Sequence, residues 1–369
     1  MGSGTTADAV AEVWRAESAR LVATLMRMTH DLGLAEEFAQ DALVAALEQW
    51  PKDGLPSRPA AWLSAVARRR AVDYFRRVET SRRTSEAARH QLAEADAPDL
   101  ADAVDQIEDD VLRLMFLTCH PTLAPDTRAV LTLRLVGGLT VPEIARAFLA
   151  KEAAVGQRIS RAKRTLQESG ATLESPQGRE RQDRIADVMA VVSLIFNEGY
   201  TATAGEGWFR PDLCREAIRL ARMLAEQAPH EPEAHGLQAL LELQASRMPA
   251  RRDEHGRAVL LESQDRSKWD HDLIQRGLAA LDRAERLGRP VGPYVIQASI
   301  AACHAHRRSF AETDWTRIAQ LYDVLTTIRP SPVVDVNRAV AYGRAWGPDA
   351  GLRILSALDR EGTLAARLS

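Results

Sequence analysis

The 369-residue chain is poor in cysteine: it has Cys119, Cys214 and Cys303 alone, and none of them forms a C-x-x-C pair. That usage argues against a disulfide framework or a zinc ribbon and fits a reducing cytoplasm. Aromatic residues are only 5% of the chain, and no window alternates β-branched with polar residues, so no half-buried strand is expected. No apolar run approaches the length of a membrane span, and the N-terminus lacks a signal-peptide pattern. A glycine-rich phosphate loop, a nucleophile–base pair and metal-ligand spacing are also missing, which leaves an enzymatic reading without chemistry and no cofactor to expect. Cys303, His304 and His306 do not change this, because neighbours on one helix diverge too far to close a metal site.

What the chain does have is helical periodicity. Hydrophobic residues are 46% of the total, with Ala, Leu, Arg and Glu dominant, and the length suits two or three domains of an all-α class. The net charge is only −3, but basic and acidic blocks are separated along the sequence. The most informative stretch runs from Thr140 to Leu166. Thr140 and Glu143 form a capping box with Pro142 in the first turn, and Ile144, Ala145 and Phe148 mark the apolar side of a short helix. After a break near residues 149–151, Val155, Ile159, Ala162 and Leu166 recur at helical spacing. The opposite face carries Ala153, Gln157, Ser160, Arg161 and Arg164. Two short helices, a tight turn and a polar, basic outer face describe a helix-turn-helix; the plainer alternative is a helical hairpin with a solvated basic face.

Upstream, Leu21, Val22, Leu25 and Met26 outline one amphipathic helix. Leu34, Phe38, Ala42, Ala46 and Trp50 outline a second, with Glu36, Glu37, Gln40 and Asp41 towards its outer side. Pro51, Gly54, Pro56 and Pro59 hold open a loop. The next helix turns Leu63, Ala67, Ala71 and Tyr74 inward and Arg69, Arg70, Arg76 and Arg77 outward. Asp73 stands among those arginines at i±3 and i±4 spacing, where a carboxylate could orient them. Nine arginines against three acidic residues lie between Arg58 and Arg89, a bias that points to a nucleic-acid surface. The charge then inverts: from Gln91 to Leu112 there are eight acidic residues and no basic one. Residues 81–110 read as a flexible acidic linker.

In this order, the parts resemble a bacterial sigma factor of the sigma-70 family, extracytoplasmic-function (ECF) type. AEEFAQDALVAAL (35–47) is similar to the helix that docks on the polymerase clamp. RPAAWLSAVARRRAVDYFRR (58–77) is similar to the helix that melts the −10 element. Residues 123–166 are similar to the domain that reads the −35 element. The resemblance implies region 2 over 8–80 and region 4 over 111–173, with core RNA polymerase and promoter DNA as partners. It places Glu37, Gln40 and Asp41 against polymerase, and Lys52, Arg58, Arg69, Arg70, Asp73, Arg76 and Arg77 at the −10 element. On the recognition helix it puts Glu152, Ala153, Gln157 and Arg158 near bases, and Arg161, Lys163 and Arg164 near phosphates. The chain departs from the pattern at Leu149 and Lys151, where a small turn residue and Ser are usual. It also departs at Leu34 and at Gly156, which weakens its helix by about 1 kcal/mol.

Beyond a break at residues 175–178, Ile185, Val188, Met189, Val192, Ile195 and Phe196 form an amphipathic helix. Helical segments follow at 212–227, 232–246, 271–287, 293–306, 314–328, 332–345 and 348–359, with proline pairs between several of them. Ala239, Ala298, Ala301, Ala339 and Ala341 supply small residues for close packing. Residues 183–369 therefore read as a degenerate tetratricopeptide-like extension, or else a bundle without repeats. The resemblance extends to the sigma-factor group that carries such an extension, through FNEGYTAT (196–203) and ESQDRSKWD (262–270). Glu262, Asp265, Arg266, Trp269 and Asp270 could be a regulatory ligand site, a charged network or an ion-paired helix start. Leu352, Leu355, Leu358 and Leu364 keep an apolar face to the end of the sequence, where a solenoid needs a cap. That leads us to expect a truncated form, or an edge that meets a partner or packs back on the first domains. Three functions compete at this point: a promoter-specificity subunit, a stand-alone helix-turn-helix regulator with a sensor extension, and an enzyme.

Overall fold

A computed structural model of the chain describes residues 6–84, 103–173, 176–200, 210–254, 257–288, 292–305 and 309–360. Helical periodicity is realised throughout: the described residues form fifteen α-helices, three short 3-10 turns and no strand beyond one bridge between Arg252 and Ala258. The chain divides into two compact units, Met1–Glu198 and Gly199–Ser369.

In the first unit α1 (Thr6–Thr29), α2 (Leu32–Asp53) and α3 (Pro59–Thr84) pack on one another. Their apolar rows meet as the spacing requires: Trp14, Val22, Leu25, Phe38, Trp50, Leu63 and Ala67 are all buried. Asp31 caps α2 by accepting the Leu34 N–H at 3.0 Å, satisfying one of the first-turn donors. Trp50 meets Trp62 edge-on with ring centroids 5.4 Å apart, and Phe38 meets Tyr74 at 5.5 Å. Those pairs fix α2 on α3. The proline-rich loop is shorter than its sequence suggests, because Pro51 is held within the last turn of α2. That helix ends only at Gly54, whose φ of 86° is accessible to glycine and whose N–H bonds the Trp50 carbonyl at 3.0 Å.

The acidic stretch expected to be a flexible linker over 81–110 is helical at both ends. α3 continues to Thr84, and α4 (Ala103–Thr118) begins inside the stretch and packs on α1. The cause is its last turns: Val111, Leu112, Leu114 and Met115 are buried, and Asp110 is neutralised by Arg27 at 3.2 Å and Arg113 at 3.4 Å. Residues 85–102 of the proposed linker lie outside the described residues. α5 (Pro125–Leu135), α6 (Val141–Ala147) and α7 (Glu152–Glu168) follow, and α8 (Gly178–Tyr200) is tied back by Arg128 to Asp187 at 3.0 Å and by Arg184 to the Phe116 carbonyl at 3.0 Å.

The second unit is a chain of helices, each packed on the next: α9 (Pro211–Gln227), α10 (Pro232–Ala245), α11 (His271–Arg286), α12 (Pro293–Ala305), α13 (Trp315–Ile328), α14 (Pro332–Trp346) and α15 (Pro348–Arg360). Their bounds fall within a residue or two of the expected ones, with proline opening five of the seven. α10 is buried nearly all round and also packs along α12. Gly236 permits that approach, since a Cβ there would lie 2.7 Å from the Val295 amide nitrogen. Glu233 accepts three backbone N–H groups at the start of α12, from Gly292, Tyr294 and Val295, at 2.9–3.1 Å. A carboxylate thus satisfies donors that α12 cannot pair internally. The apolar row of α15 is open at Leu352, which is 56% exposed, while Leu355 and Leu358 are half-buried. Leu364 lies outside the described residues.

Candidate nucleic-acid interface

The capping box of the short helix forms as its spacing demands. Thr140 Oγ1 accepts the Glu143 N–H, and the Glu143 carboxylate accepts the Thr140 N–H at 2.8 Å. Burial acts to raise the Glu143 carboxyl, but hydrogen bonds from Thr140 and Arg15 outweigh it and leave the group below its usual value. α6 stops in a Schellman turn: the Ala150 N–H returns to the Ala145 carbonyl at 2.9 Å and the Leu149 N–H to Arg146 at 3.3 Å. Leu149 takes the left-handed conformation usually left to glycine, with φ 49°, and its side chain is 75% exposed. α7 therefore begins at Glu152, after Lys151, whose side chain makes no cap. Glu152 in its first turn complements the helix dipole instead.

On α7, Val155, Ile159, Ala162 and Leu166 are buried against α5 and α6. Glu152, Ala153, Gln157, Arg158, Arg161 and Arg164 are all exposed on the far side. Arg161 donates to Gln157 Oε1 at 3.3 Å, which orients both side chains along the helix. Lys163 does not share this face. It is half-buried and paired with Glu36 of α2, so its expected place beside DNA phosphates is occupied by a carboxylate of the same chain. Glu36 itself, expected on the outer side of α2, is buried.

On α3, Arg69, Arg70, Arg76 and Arg77 are exposed as expected. Asp73 is exposed among them but does not orient them through its carboxylate; Arg77 Nε bonds the Asp73 backbone carbonyl at 3.2 Å instead. Lys52 and Arg58 are exposed on either side of the Gly54 turn, Lys52 on the last turn of α2 and Arg58 just before α3. Glu37 and Asp41 line one groove of about 400 Å³ with Arg70, Tyr74 and Arg77. The two sets expected for polymerase and for the −10 element therefore adjoin across the α2–α3 seam. Gln40 is half-buried beside them.

In the second unit the Glu262–Asp270 motif is taken up by the fold. Arg266, 8% exposed, donates to the His304 carbonyl at the end of α12 at 2.6 Å and to Thr313 Oγ1 at 3.3 Å. Its guanidinium lies 5.0 Å from the centroid of the buried Trp269 ring, with that of Arg247 at 5.7 Å from the same ring. Asp265 caps a 3-10 turn, and hydrogen bonds from the Ser267 hydroxyl and amide hold its carboxyl below the ordinary range. Asp270 caps α11 by accepting the Leu273 N–H at 3.0 Å, while its own N–H bonds the Ser246 carbonyl at 2.8 Å. Glu262 pairs with Arg344 of α14 at 2.6 Å. The motif ties the ends of α10 and α12 to the start of α11. Residues 201–203 of the other motif lie outside the described residues, as does His306; among the described residues no cluster of His, Cys, Asp and Glu could hold a metal.

No described helix is long and apolar enough to cross a membrane. Residues 13–81 match the family described as sigma-70 region 2, and residues 113–166 match sigma-70, region 4. Residues 184–285 match a family of unknown function, DUF6596. The chain is 46% identical over 338 residues to an uncharacterized protein of Rhizobium meliloti (strain 1021), covering 90% of this chain and 79% of that protein. It is 33% identical over 177 residues to the probable ECF RNA polymerase sigma factor SigI of Mycobacterium tuberculosis, covering 47% of this chain and 60% of SigI. A further likeness, 27% over 148 residues, is to the probable RNA polymerase sigma factor RfaY of Xanthomonas campestris pv. campestris, covering 40% of this chain and 36% of RfaY. No solved structure matches the chain. With both sigma regions in order on α1–α3 and α4–α7 and an added helical unit behind them, the chain belongs to the sigma-70 family, as an ECF-type sigma factor with a long C-terminal extension.

Proposed function

We propose that this sigma subunit directs initiation by seating α7 on the −35 element and α3 with the Gly54–Arg58 loop on the −10 element, while α2 docks on core polymerase through Glu37, Gln40 and Asp41. The work is binding, not bond chemistry. Arg161 and Arg164 neutralise phosphates and set register, and Glu152, Ala153, Gln157 and Arg158 approach base edges. Arg69, Arg70, Arg76 and Arg77 hold the backbone of the melting strand, and Lys52 and Arg58 flank the loop that receives an unstacked base. Unstacking costs a few kcal/mol, which those contacts must offset. The observation that carries this reading is the exposed, arginine-bearing face of α7 over a capped helix-turn-helix whose other face is wholly buried. The helical extension regulates the engagement of polymerase or promoter through a protein partner or a contact within the chain. The protein works in the cytoplasm, where polymerase is.

Run-off transcription with bacterial core polymerase tests the reading. The full chain should drive promoter-dependent transcription, and replacing Arg69, Arg70 and Arg76 by Ala should abolish open complexes while holoenzyme still forms. A chain that binds duplex DNA specifically without core enzyme, and is indifferent to those three changes, would instead be a stand-alone regulator.

A further inference from the structure

The helix-turn-helix is fastened to α1 and α2 by polar contacts that carry no sequence-reading role. Glu36 sits at their centre. It is only 6% exposed, and its carboxylate takes Arg134 Nε of α5 at 2.5 Å and the Lys163 ammonium of α7. Arg134 is further held by the Leu139 carbonyl at 3.0 Å. Around this core, Trp14 Nε1 donates to the Gly138 carbonyl at 3.0 Å, Arg15 pairs with Glu143 at 3.0 Å, and Gln167 reaches Asp31 at 3.3 Å. Gly138, with φ 69°, is pressed so close that a Cβ would lie 2.5 Å from Ser18 Oγ. The contact is thus close and specific, yet largely built of charge and hydrogen bonds.

We propose that Glu36 is an intramolecular latch that closes the −35 reader onto the −10 module by occupying Lys163, and that promoter phosphate opens it by taking the same lysine. The inference rests on the sigma-factor reading above. An ammonium bound to a buried carboxylate cannot also neutralise a DNA phosphate, so the closed contact and full engagement of α7 exclude each other. Two modules that read elements separated by more than a turn of duplex must also part from one another. Opening also breaks the Trp14–Gly138, Arg15–Glu143 and Gln167–Asp31 contacts, whose groups take water. Arg134 keeps its carbonyl partner, while Glu36 takes water and Lys163 takes phosphate. Because the latch is ionic, its strength falls as salt screens it, though less than for a fully exposed pair.

The test uses the full chain with Cys303→Ser and spin labels on cysteines introduced at Asp53 and Glu168, both exposed helix-end positions. Double electron–electron resonance reads the distance between α2 and α7. The wild-type background should give one short distance in free protein and a long one in holoenzyme on promoter DNA. Glu36→Gln, which keeps the shape and removes the charge, should raise the open population about tenfold. The same change should tighten binding of the free chain to a −35 duplex about tenfold. Trp14→Phe, which removes the indole N–H together with some ring volume, should do the same more weakly and covers the case in which Glu36→Gln does not fold. Both variants keeping the single short distance, with helicity intact, overturns the latch. Wild-type protein that never binds core polymerase overturns the sigma reading instead, and the two results are separately visible.

Discussion

Acidifying the protein should weaken the second unit through a single imidazole. His304 sits at the end of α12, 8% exposed, with its ring 5.4 Å from that of Trp315. Burial, and after it the guanidinium groups of Arg247 and Arg266, push its pKa down from 6.5 to about 4. In the unfolded chain the same ring titrates near its ordinary value. Between these two values the unfolded state holds the extra proton, so stability is intact above about pH 6.5 and is lost as the pH falls towards 4. The gap corresponds to about 3 kcal/mol once both states are titrated, and to about 2 kcal/mol at pH near 5. His304→Gln removes the titration and leaves the His304 backbone carbonyl available to Arg266. Urea unfolding of the full chain, followed by tryptophan fluorescence at pH near 7 and near 5, should show a drop larger in wild type than in the variant by that amount. Equal drops in both would refute the reasoning, because the carboxylates common to both proteins would then explain all of the pH dependence.

Other outcomes follow from the same geometry. Arg161→Ala should lower the salt slope of holoenzyme binding to promoter by about 0.9. Gln157→Ala should instead cost about 1–3 kcal/mol on the matched −35 sequence alone, as read in gel shifts with matched and scrambled duplexes. Gly156→Ala places a Cβ that meets nothing within 4 Å. It should stabilise α7 by about 1 kcal/mol, which calorimetry of the first unit's transition would register as a rise of about 2–4 °C. In the second unit Glu242 is fully buried and is paired with Arg222 at 2.6 Å. Arg222→Ala leaves that carboxylate uncompensated and should cost about 3 kcal/mol in urea unfolding, with most of the loss restored by adding Glu242→Gln.

The helix-turn-helix was legible in the sequence because its signals are local. A capping box, a proline in the first turn and four apolar residues at helical spacing all act within a few residues, and α6 and α7 follow them closely. Proline punctuation located the helices of the second unit for the same reason. Glu36 was not legible, because a charged residue beside an apolar row looks outward until a partner from 98 residues away is known to cover it. The length of α2 was misjudged at Pro51 since a proline in a last turn reads like a loop. At Arg266 and Trp269 the sequence leaves a ligand site, a charged network and an ion-paired helix start all open. A cluster of charge and indole reads as a possible ligand site, whereas here the arginine ties off the carbonyl end of one helix and the ring supplies its seat. No sequence period distinguishes those two uses.

An apolar seam between the two modules would have held them together more firmly than the ionic one, and that difference has a functional consequence. Burial of apolar surface is insensitive to what lies outside it, so an apolar contact could be opened only by a partner that competes for the whole face. A carboxylate shared by two cations is open to competition at one atom, and the strongest competitor for an ammonium is an anion such as phosphate. The free subunit then binds duplex with its intrinsic affinity reduced by the open fraction. If polymerase docks on α2 as proposed, it lies next to Glu36 and favours the state in which Lys163 is released. Placing a phosphate-seeking lysine on the latch makes opening and promoter contact one equilibrium. Raising potassium chloride should therefore open the free chain while weakening its DNA contacts, so duplex affinity of the wild type should fall less steeply with salt than that of Glu36→Gln. A wild-type salt slope equal to or steeper than the variant's would mean that Lys163 is not exchanged between carboxylate and phosphate.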